Sequence, residues 1–230
     1  MTIAEIDFGR LYREHHAAAN RNPKPASAWD ARAADMSRKA GTSPYVDAFI
    51  RRMDLTGVHT LLDVGCGPGT ICLPLADRLQ RVVGLDFSRR MLDGLLDNAA
   101  RLGCSNVEAL HLSWEDDWSA VPACDVVVAS RSTAVADMEA ALHKLNDKAR
   151  RRVYLTCLVG GRFIDRAVVD VVGRDAPAFP DYIYAVNILY RMGIHPRVDY
   201  IEQEGRLAGA GDFDEFARRV AWALGDLSGE

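Results

Sequence analysis

The sequence predicts an α/β fold in which a doubly wound, mostly parallel sheet forms the middle of three α/β/α layers. Three observations support this fold class. Five short apolar runs have the length and composition of strands buried on both faces, at 61–64, 81–86, 107–112, 125–130 and 151–159. Amphipathic helical segments separate several of these runs, for example 91–102 and 135–148. Such an alternation of strand and helix predicts parallel strands joined by right-handed crossovers.

Two regions flank this alternation. Residues 1–55 are predicted to form an N-terminal helical cap, with helices at 6–20, 29–36 and 43–53, packed on a main domain of 56–230. After the fifth strand the pattern changes, and the segment 161–196 contains an aromatic-rich helix at 181–193. A sixth strand is expected at 197–201 and a last amphipathic helix at 213–224.

Composition excludes several classes of function. The 230 residues include 28 basic and 32 acidic side chains, a net charge of −4, which gives no electrostatic footprint for nucleic acid. No apolar run is long enough to cross a bilayer, and the charged first residues do not resemble a signal peptide. The five cysteines are scattered singly, which favours free thiols in a reducing cytoplasm, and neither they nor the histidines have the spacing of a metal site.

The first strand runs into a glycine turn with the pattern Asp63-x-Gly65-x-Gly67-x-Gly69. Glycines at these positions allow a sharp turn and a close approach of a ligand to the backbone, and a helix is expected to continue through 71–79. A dinucleotide site prefers a third glycine where this chain has Thr70. The carboxylate of Asp63 would repel a pyrophosphate but suits a cationic ligand.

The second strand ends in Asp86, about twenty residues after the turn. A carboxylate there can accept hydrogen bonds from both hydroxyls of a ribose. Nicotinamide enzymes use the same contact, so Asp86 does not distinguish between the two cofactors. The alternative is that Asp86 only caps the helix that starts near Ser88.

The sequence resembles the class I S-adenosylmethionine-dependent methyltransferases, strongly over about 60–159 and only in architecture elsewhere. The residues that carry the resemblance are the glycine turn and the run from Asp86 to Leu92, which is similar to the family pattern D-x-S-x-x-M-L. The resemblance implies S-adenosylmethionine as the cofactor. It also implies a seventh strand, for which no candidate is found, so either the sheet is one strand short or the natural chain continues. The cofactor contacts that we expect are Asp63, Gly65, Cys66, Gly67, Asp86, Phe87, Ser113, Trp114, Glu115 and Ser130.

Each strand end is expected to bind a different part of the cofactor. The resemblance assigns the methionine ammonium to Asp63, the ribose to Asp86 and the adenine to Phe87. The chain departs from the family at Ser113, where an acid usually binds the adenine amino group. Glu115 or the Ser113 hydroxyl is a substitute, with Trp114 as an aromatic wall or, alternatively, as ordinary core packing.

The residues around the acceptor are less informative. The end of the fourth strand reads Ser130-Arg131-Ser132-Thr133 and lacks the N/D-P-P-Y/F signature of amine and amide methyltransferases. Arg131 could hold a carboxylate or phosphate of the acceptor, or form an ion pair with an acid such as Asp165. Trp29 is a candidate residue over the cofactor entrance or a core anchor. Three tyrosines of the segment 161–196 could line the acceptor site or form core: Tyr182, Tyr184 and Tyr190.

The sequence therefore predicts a methyltransferase that acts on a small-molecule acceptor, without nucleic-acid or membrane partners and without a bound metal. Methyl transfer is an in-line displacement that depends mainly on positioning, so no catalytic residue is identified. Three alternatives remain: a non-catalytic S-adenosylmethionine-binding subunit or sensor, a protein-directed methyltransferase, and a nicotinamide dehydrogenase, which Asp63 and Thr70 disfavour.

Overall fold

The structure is a computed structural model that describes residues 2–19, 24–41, 43–162, 166–173, 178–202 and 211–224. The chain forms two compact units. The sheet unit comprises residues 24–157, and the helical unit combines residues 1–23 with 158–230. The helices before the first strand thus divide between the two units. The division into a cap of 1–55 and a main domain of 56–230 stays a prediction.

The described residues form α-helices and five strands. The helices are α1 (Phe8–Ala19), α2 (Ala26–Asp30), α3 (Ala33–Arg38), α4 (Pro44–Ile50), α5 (Arg89–Leu102), α6 (Met138–Lys148), α7 (Arg166–Val172), α8 (Tyr182–Arg191) and α9 (Phe213–Leu224). The strands are β1 (Thr60–Val64), β2 (Arg81–Asp86), β3 (Val107–His111), β4 (Cys124–Ala129) and β5 (Ala149–Leu155). No described helix has the length and apolar character that a membrane span requires.

All five strands belong to one parallel sheet with the order β3-β2-β1-β4-β5. The predicted α/β fold with a doubly wound parallel sheet is confirmed. The chain builds outward from β1 to β3 and then crosses over to β4, so the strand order reverses between β1 and β4. In sheets of this kind ligands bind at that reversal, beyond the carboxyl ends of the strands.

The central strands of the sheet unit are fully buried, as their uniform apolar composition predicts. Leu61, Leu62 and Val64 of β1 and the valines of β4 have no exposed surface. Side chains on one face of the sheet pack with Trp118 and with Leu145 of α6. This core fixes the strand ends that carry the polar residues of the site.

Three predicted elements differ in the structure. The helix expected at 71–79 is a shorter 3-10 helix, Leu73–Arg78, because Gly69 is left-handed (φ 92°) and Pro74 lacks the N–H that an α-helix would use. The helix expected at 29–36 is divided into α2 and α3. The sixth strand expected at 197–201 is wrong, since residues 194–202 have no regular secondary structure.

The failure of that sixth strand has a physical reason. Val198 and Tyr200, which would occupy one face of the strand, are 45% and 51% exposed. Strand propensity reflects the packing of a half-buried surface on a sheet, whereas Tyr200 packs edge-to-face on the ring of Tyr182 in α8, with centroids 5.8 Å apart. Within the described residues, the sheet contains no strand beyond β5.

The helical unit contains α1, α7, α8 and α9. Helix α1 packs against α8, and Tyr12 meets Tyr184 edge-to-face with ring centroids 5.7 Å apart. The predicted helices at 181–193 and 213–224 are present in this unit as α8 and α9.

Candidate functional site

The glycine turn follows β1 directly and is held by the end of β2. The backbone N–H groups of Gly65 and Cys66 both donate to the carbonyl of Leu85, at 2.7 and 3.1 Å. Gly65 is left-handed (φ 68°), and an added Cβ would overlap Ser132, which lies beyond the end of β4. Only glycine fits there, so the turn and the β4 loop lie directly against each other.

Asp63 is a buried carboxyl group immediately before the turn, with 1% of its surface exposed. The thiol and backbone N–H of Cys72 donate to it, while its Oδ2 has no hydrogen-bond partner among the described residues. Burial raises the pKa of Asp63 to about 7. An orphaned carboxylate oxygen in this position suits a cationic donor such as an ammonium group, which would supply the missing hydrogen bond and restore the charge.

Asp86 ties the end of β2 to the glycine turn. Its Oδ2 accepts a hydrogen bond from the N–H of Gly67 and its Oδ1 accepts one from the N–H of Ser88, both at 2.9 Å. Burial raises the pKa of Asp86 above its usual value. The N-cap of α5 is Ser88, whose hydroxyl accepts from the N–H of Met91 at 3.2 Å. The interpretation of Asp86 as the helix cap is therefore wrong, because Ser88 caps the helix. A carboxylate only accepts hydrogen bonds, which matches the hydroxyl donors of a ribose.

The loop after β3 is organised around Ser113. Its N–H donates to Oδ2 of Asp116 at 2.7 Å, and its hydroxyl accepts from the N–H of Glu115 at 3.2 Å. Asp116 is an acid of this loop that the sequence interpretation missed, although an acid three residues after a serine is a recognisable loop signal. Phe87, at the end of β2, is 39% exposed.

Trp114 packs into the sheet unit. Its ring stacks on Trp118 with centroids 5.3 Å apart, and it lies against the apolar cluster of the sheet. The indole N–H donates to the carbonyl of Ser132 at 3.0 Å, which joins the β3 loop to the β4 loop. Core packing of Trp114 is thus observed, and its role as an adenine wall stays a prediction.

The end of β4 presents Arg131 on a fixed backbone. Arg131 is the only described residue other than glycine with a left-handed φ, 58°, and its N–H donates to the Thr156 hydroxyl at 2.9 Å. The guanidinium lies 3.7 Å from the ring centroid of Tyr45, a cation–π contact, and the Tyr45 hydroxyl lies 2.5 Å from the Ser130 hydroxyl. Asp165, the acid suggested as an ion-pair partner of Arg131, lies outside the described residues.

Tyr45 is a residue of this cluster that the sequence interpretation missed. It is buried in α4, on the same side as Phe49, where helical spacing indicates core packing. Its hydroxyl forms hydrogen bonds with the side chains of Ser130 and Thr156. Helical spacing does not predict these contacts, because both partners are distant in the sequence.

Trp29 lies in α2, half-buried, next to Asp30. The carboxylate of Asp30 accepts a hydrogen bond from the Ser88 hydroxyl at 2.6 Å and another from the N–H of Arg90 at 3.2 Å. The structure therefore fastens the helix that carries Trp29 to the turn that follows Asp86.

The three tyrosines of α8 have separate surroundings in the helical unit. The hydroxyl of Tyr184 lies 3.1 Å from Nδ1 of His15, whose Nε2 lies 2.6 Å from the carbonyl of Ala178. Tyr182 accepts a hydrogen bond from the hydroxyl of Tyr200 at 2.8 Å. Tyr190 is 48% exposed, so it is not a core residue.

Comparisons with known proteins agree with this geometry. A family model described as a methyltransferase domain matches residues 61–152. An uncharacterized protein of Haemophilus influenzae is 37% identical over 230 residues, covering 99% of this chain and 86% of that protein. The 23S rRNA (uracil(1939)-C(5))-methyltransferase RlmD of Salmonella typhi is 28% identical over 156 residues; the match covers 65% of this chain and 33% of that enzyme.

A solved structure is similar in fold. The magnesium protoporphyrin IX methyltransferase of Synechocystis, determined with bound S-adenosylhomocysteine, superposes with a TM-score of 0.50 at 17% identity, covering 80% of this chain and 88% of that one. Sheet order, glycine turn, orphaned carboxylate and family model lead to one conclusion. Over residues 61–152 the chain belongs to the methyltransferase domain family, and its fold is that of the class I S-adenosylmethionine-dependent methyltransferases.

Proposed function

We propose that this protein transfers the methyl group of S-adenosylmethionine to a small-molecule acceptor. The observation that carries the proposal is the orphaned Oδ2 of Asp63, a buried acceptor beside a glycine turn for which the described part of the chain supplies no donor. The ammonium of the cofactor would donate to this oxygen, and the ribose hydroxyls would donate to Asp86. The residues that would complete the cofactor site are Gly65, Cys66, Gly67, Phe87, Ser113, Trp114, Glu115 and Ser130.

When bound, S-adenosylmethionine supplies a methyl group on a positively charged sulfur, which an acceptor atom attacks in line. The protein's contribution is to hold the reacting atoms collinear and to exclude water. Positioning of this kind can supply roughly 7–11 kcal/mol of a barrier without any proton transfer. No base is therefore assigned among the residues of the sheet unit.

Charge supports a small acceptor over RNA. The chain is acidic overall, with a net charge of −4, whereas proteins that bind RNA through its backbone carry a surplus of basic groups. The Salmonella relative is named for methylation of ribosomal RNA, but this chain spans a third of that enzyme. The cysteines of the described residues are all free, which is consistent with our proposal of a cytoplasmic enzyme.

Arg131 is the proposed contact for an anionic group of the acceptor. Its backbone is held by Thr156 and its guanidinium rests on the Tyr45 ring, so little side-chain freedom would be lost on binding. A non-glycine residue held in a left-handed conformation is typical of functional sites, and guanidinium groups bind carboxylates and phosphates with two hydrogen bonds. Trp29, Tyr182, Tyr184 and Tyr190 remain proposed acceptor contacts.

The proposal is tested with radiolabelled S-adenosylmethionine and a metabolite extract. We expect S-adenosylhomocysteine to form only when the low-molecular-weight fraction is present, and nuclease treatment of the extract to have no effect. Methylation that requires the nuclease-sensitive fraction would indicate RNA instead. Methylation of the protein fraction would indicate a protein acceptor. Binding of the cofactor without turnover on any fraction would favour a sensor.

Arg131→Ala and Arg131→Lys separate the two roles of that residue. We expect the alanine variant to lose turnover while it keeps its affinity for S-adenosylhomocysteine, and the lysine variant to recover part of the turnover. Loss of the folded state in both variants, measured by urea denaturation, would instead indicate a structural ion pair.

A further inference from the structure

Asp30 lies at the start of an unbroken series of hydrogen bonds that ends at the glycine turn. Its carboxylate accepts from the Ser88 hydroxyl at 2.6 Å, and the N–H of Ser88 donates to Asp86 at 2.9 Å. Asp86 in turn accepts from the N–H of Gly67, also at 2.9 Å. The Ser88 hydroxyl has a second role, because it also caps α5 by accepting from the N–H of Met91. Hydrogen bonds through Ser88 thus connect Asp30 to the carboxylate expected to bind the ribose.

The segment 24–41 is fastened to α5 at a second point. The side-chain amide of Asn98 donates to the carbonyl of Pro68 in the glycine turn at 3.0 Å and to the carbonyl of Ser37 in α3 at 3.4 Å. Ser37 also packs so closely on α5 that a Cβ added at Gly94 would overlap its hydroxyl. Asp30 and Ser37 therefore hold this segment at two points against the helix that follows Asp86, and Trp29 directly precedes Asp30.

Charge gives Asp30 an effect that packing alone would not. The hydrogen bond from Ser88 keeps the pKa of Asp30 below its usual value, so the group is a carboxylate at neutral pH. A carboxylate accepts from the Ser88 hydroxyl more strongly than a neutral amide would, and the bond of 2.6 Å has the length typical of a charged acceptor.

We infer that Asp30 is a positioning residue for the adenosine half of S-adenosylmethionine, acting through Ser88 on Asp86 and holding Trp29 in place. This inference rests on the proposed use of Asp63 and Asp86 as the two ends of the cofactor site. It assigns Asp30 to the ribose and adenine end. The amino-acid end is left to Asp63.

Calorimetry with two ligands tests the assignment. S-adenosylhomocysteine contains both halves of the cofactor, whereas 5′-methylthioadenosine lacks the amino acid. We expect Asp30→Ala to reduce the affinity for both ligands by the same factor, on the order of tenfold. The reason is that the variant loses a charge-assisted hydrogen bond, which positions Ser88 and Asp86. Asp63→Asn should weaken only S-adenosylhomocysteine, because 5′-methylthioadenosine carries no ammonium group.

Two further variants serve as controls. Asp30→Asn keeps the shape and an acceptor oxygen but removes the charge, and should recover only part of the affinity for both ligands. Asp35→Ala removes an exposed carboxylate of α3 that pairs with Arg38 and Lys39, and should leave both affinities unchanged. This comparison distinguishes the hydrogen bond of Asp30 from a general change of charge in the segment.

The outcomes separate the inference from the proposed function. Unchanged affinity in Asp30→Ala, with a lower melting temperature, would reduce Asp30 to a structural contact and overturn the inference. A loss confined to S-adenosylhomocysteine would place Asp30 at the wrong end of the ligand and overturn it as well. If the unaltered protein bound neither ligand, the proposed function would fall first, and the inference with it.

Discussion

The two units of the molecule build their polar contacts in different ways. In the sheet unit, backbone N–H groups make the decisive bonds, as those of Gly65 and Cys66 do to Leu85 and that of Gly67 does to Asp86. In the helical unit, side chains from remote parts of the chain meet, as His15 and Tyr184 do across 169 positions. A site made of backbone groups at strand ends is encoded in a short motif. A cluster made of side chains on separate helices is not.

The largest expected effect comes from a substitution in the glycine turn. Gly65→Ala should destabilise the protein by about 3–5 kcal/mol, because the new Cβ overlaps Ser132 and the residue must keep a left-handed φ of 68°. Urea denaturation measures the change. Gly103→Ala is the matched control, since Gly103 has φ 73° but no neighbouring atom within 4 Å, and it should cost only about 1–2 kcal/mol. Equal losses of unfolding free energy in both variants would show that the close approach of Ser132 does not add to the cost of the substitution.

The next effect concerns the buried acid of the sheet unit. Because the pKa of Asp63 is raised to about 7 in the folded protein, the folded state holds a proton that the unfolded state has released. Stability should therefore fall as pH rises from about 4 to about 7, by roughly 3 kcal/mol from this group.

Asp63→Asn isolates that contribution. The difference in free energy of unfolding between this variant and the unaltered protein should change with pH over the same window, while the other titrating groups cancel. Saturation with S-adenosylmethionine should abolish the difference in slope, because its ammonium stabilises the charged carboxylate. A difference that is constant with pH would contradict the raised pKa.

A third prediction concerns the carboxylate at the end of β2. Asp86→Ala should weaken S-adenosylhomocysteine binding by about 1.5–3 kcal/mol, since it removes charged hydrogen bonds to the ribose. Calorimetry measures the affinity, and Asp93→Ala, an exposed acid on α5 near Arg89, is the control. Unchanged affinity in the Asp86 variant, with reduced stability, would leave Asp86 only its bonds to Gly67 and Ser88.

The smallest effect belongs to the helical unit. Tyr184→Phe removes the hydroxyl that contacts His15 and should cost about 1 kcal/mol of stability, with no change in affinity for S-adenosylhomocysteine. Tyr190→Phe, at a half-exposed position, should change neither quantity. If Tyr184→Phe weakened the cofactor as much as Asp86→Ala does, the contrast between the two units would disappear.

The sequence predicted correctly those elements whose bounds depend only on neighbouring residues. Strand β2 occupies the predicted residues 81–86, and α5 ends at Leu102, the last residue of the predicted helix. The prediction failed where a segment needed a partner. The residues 197–201 have strand-like composition, but Val198 and Tyr200 stay about half exposed and the segment forms no strand.

The sequence by itself determined the parallel sheet, the glycine turn and the acids Asp63 and Asp86, because strand periodicity and backbone conformation are local properties. Only the tertiary structure decided that Asp63 keeps an orphaned oxygen, that Tyr45 supports Arg131 and that Asp30 reaches Ser88. Tyr45 and Arg131 are 86 positions apart, and Asp30 and Ser88 are 58 apart. Contacts at such separations depend on how whole elements pack, which no short window of sequence records.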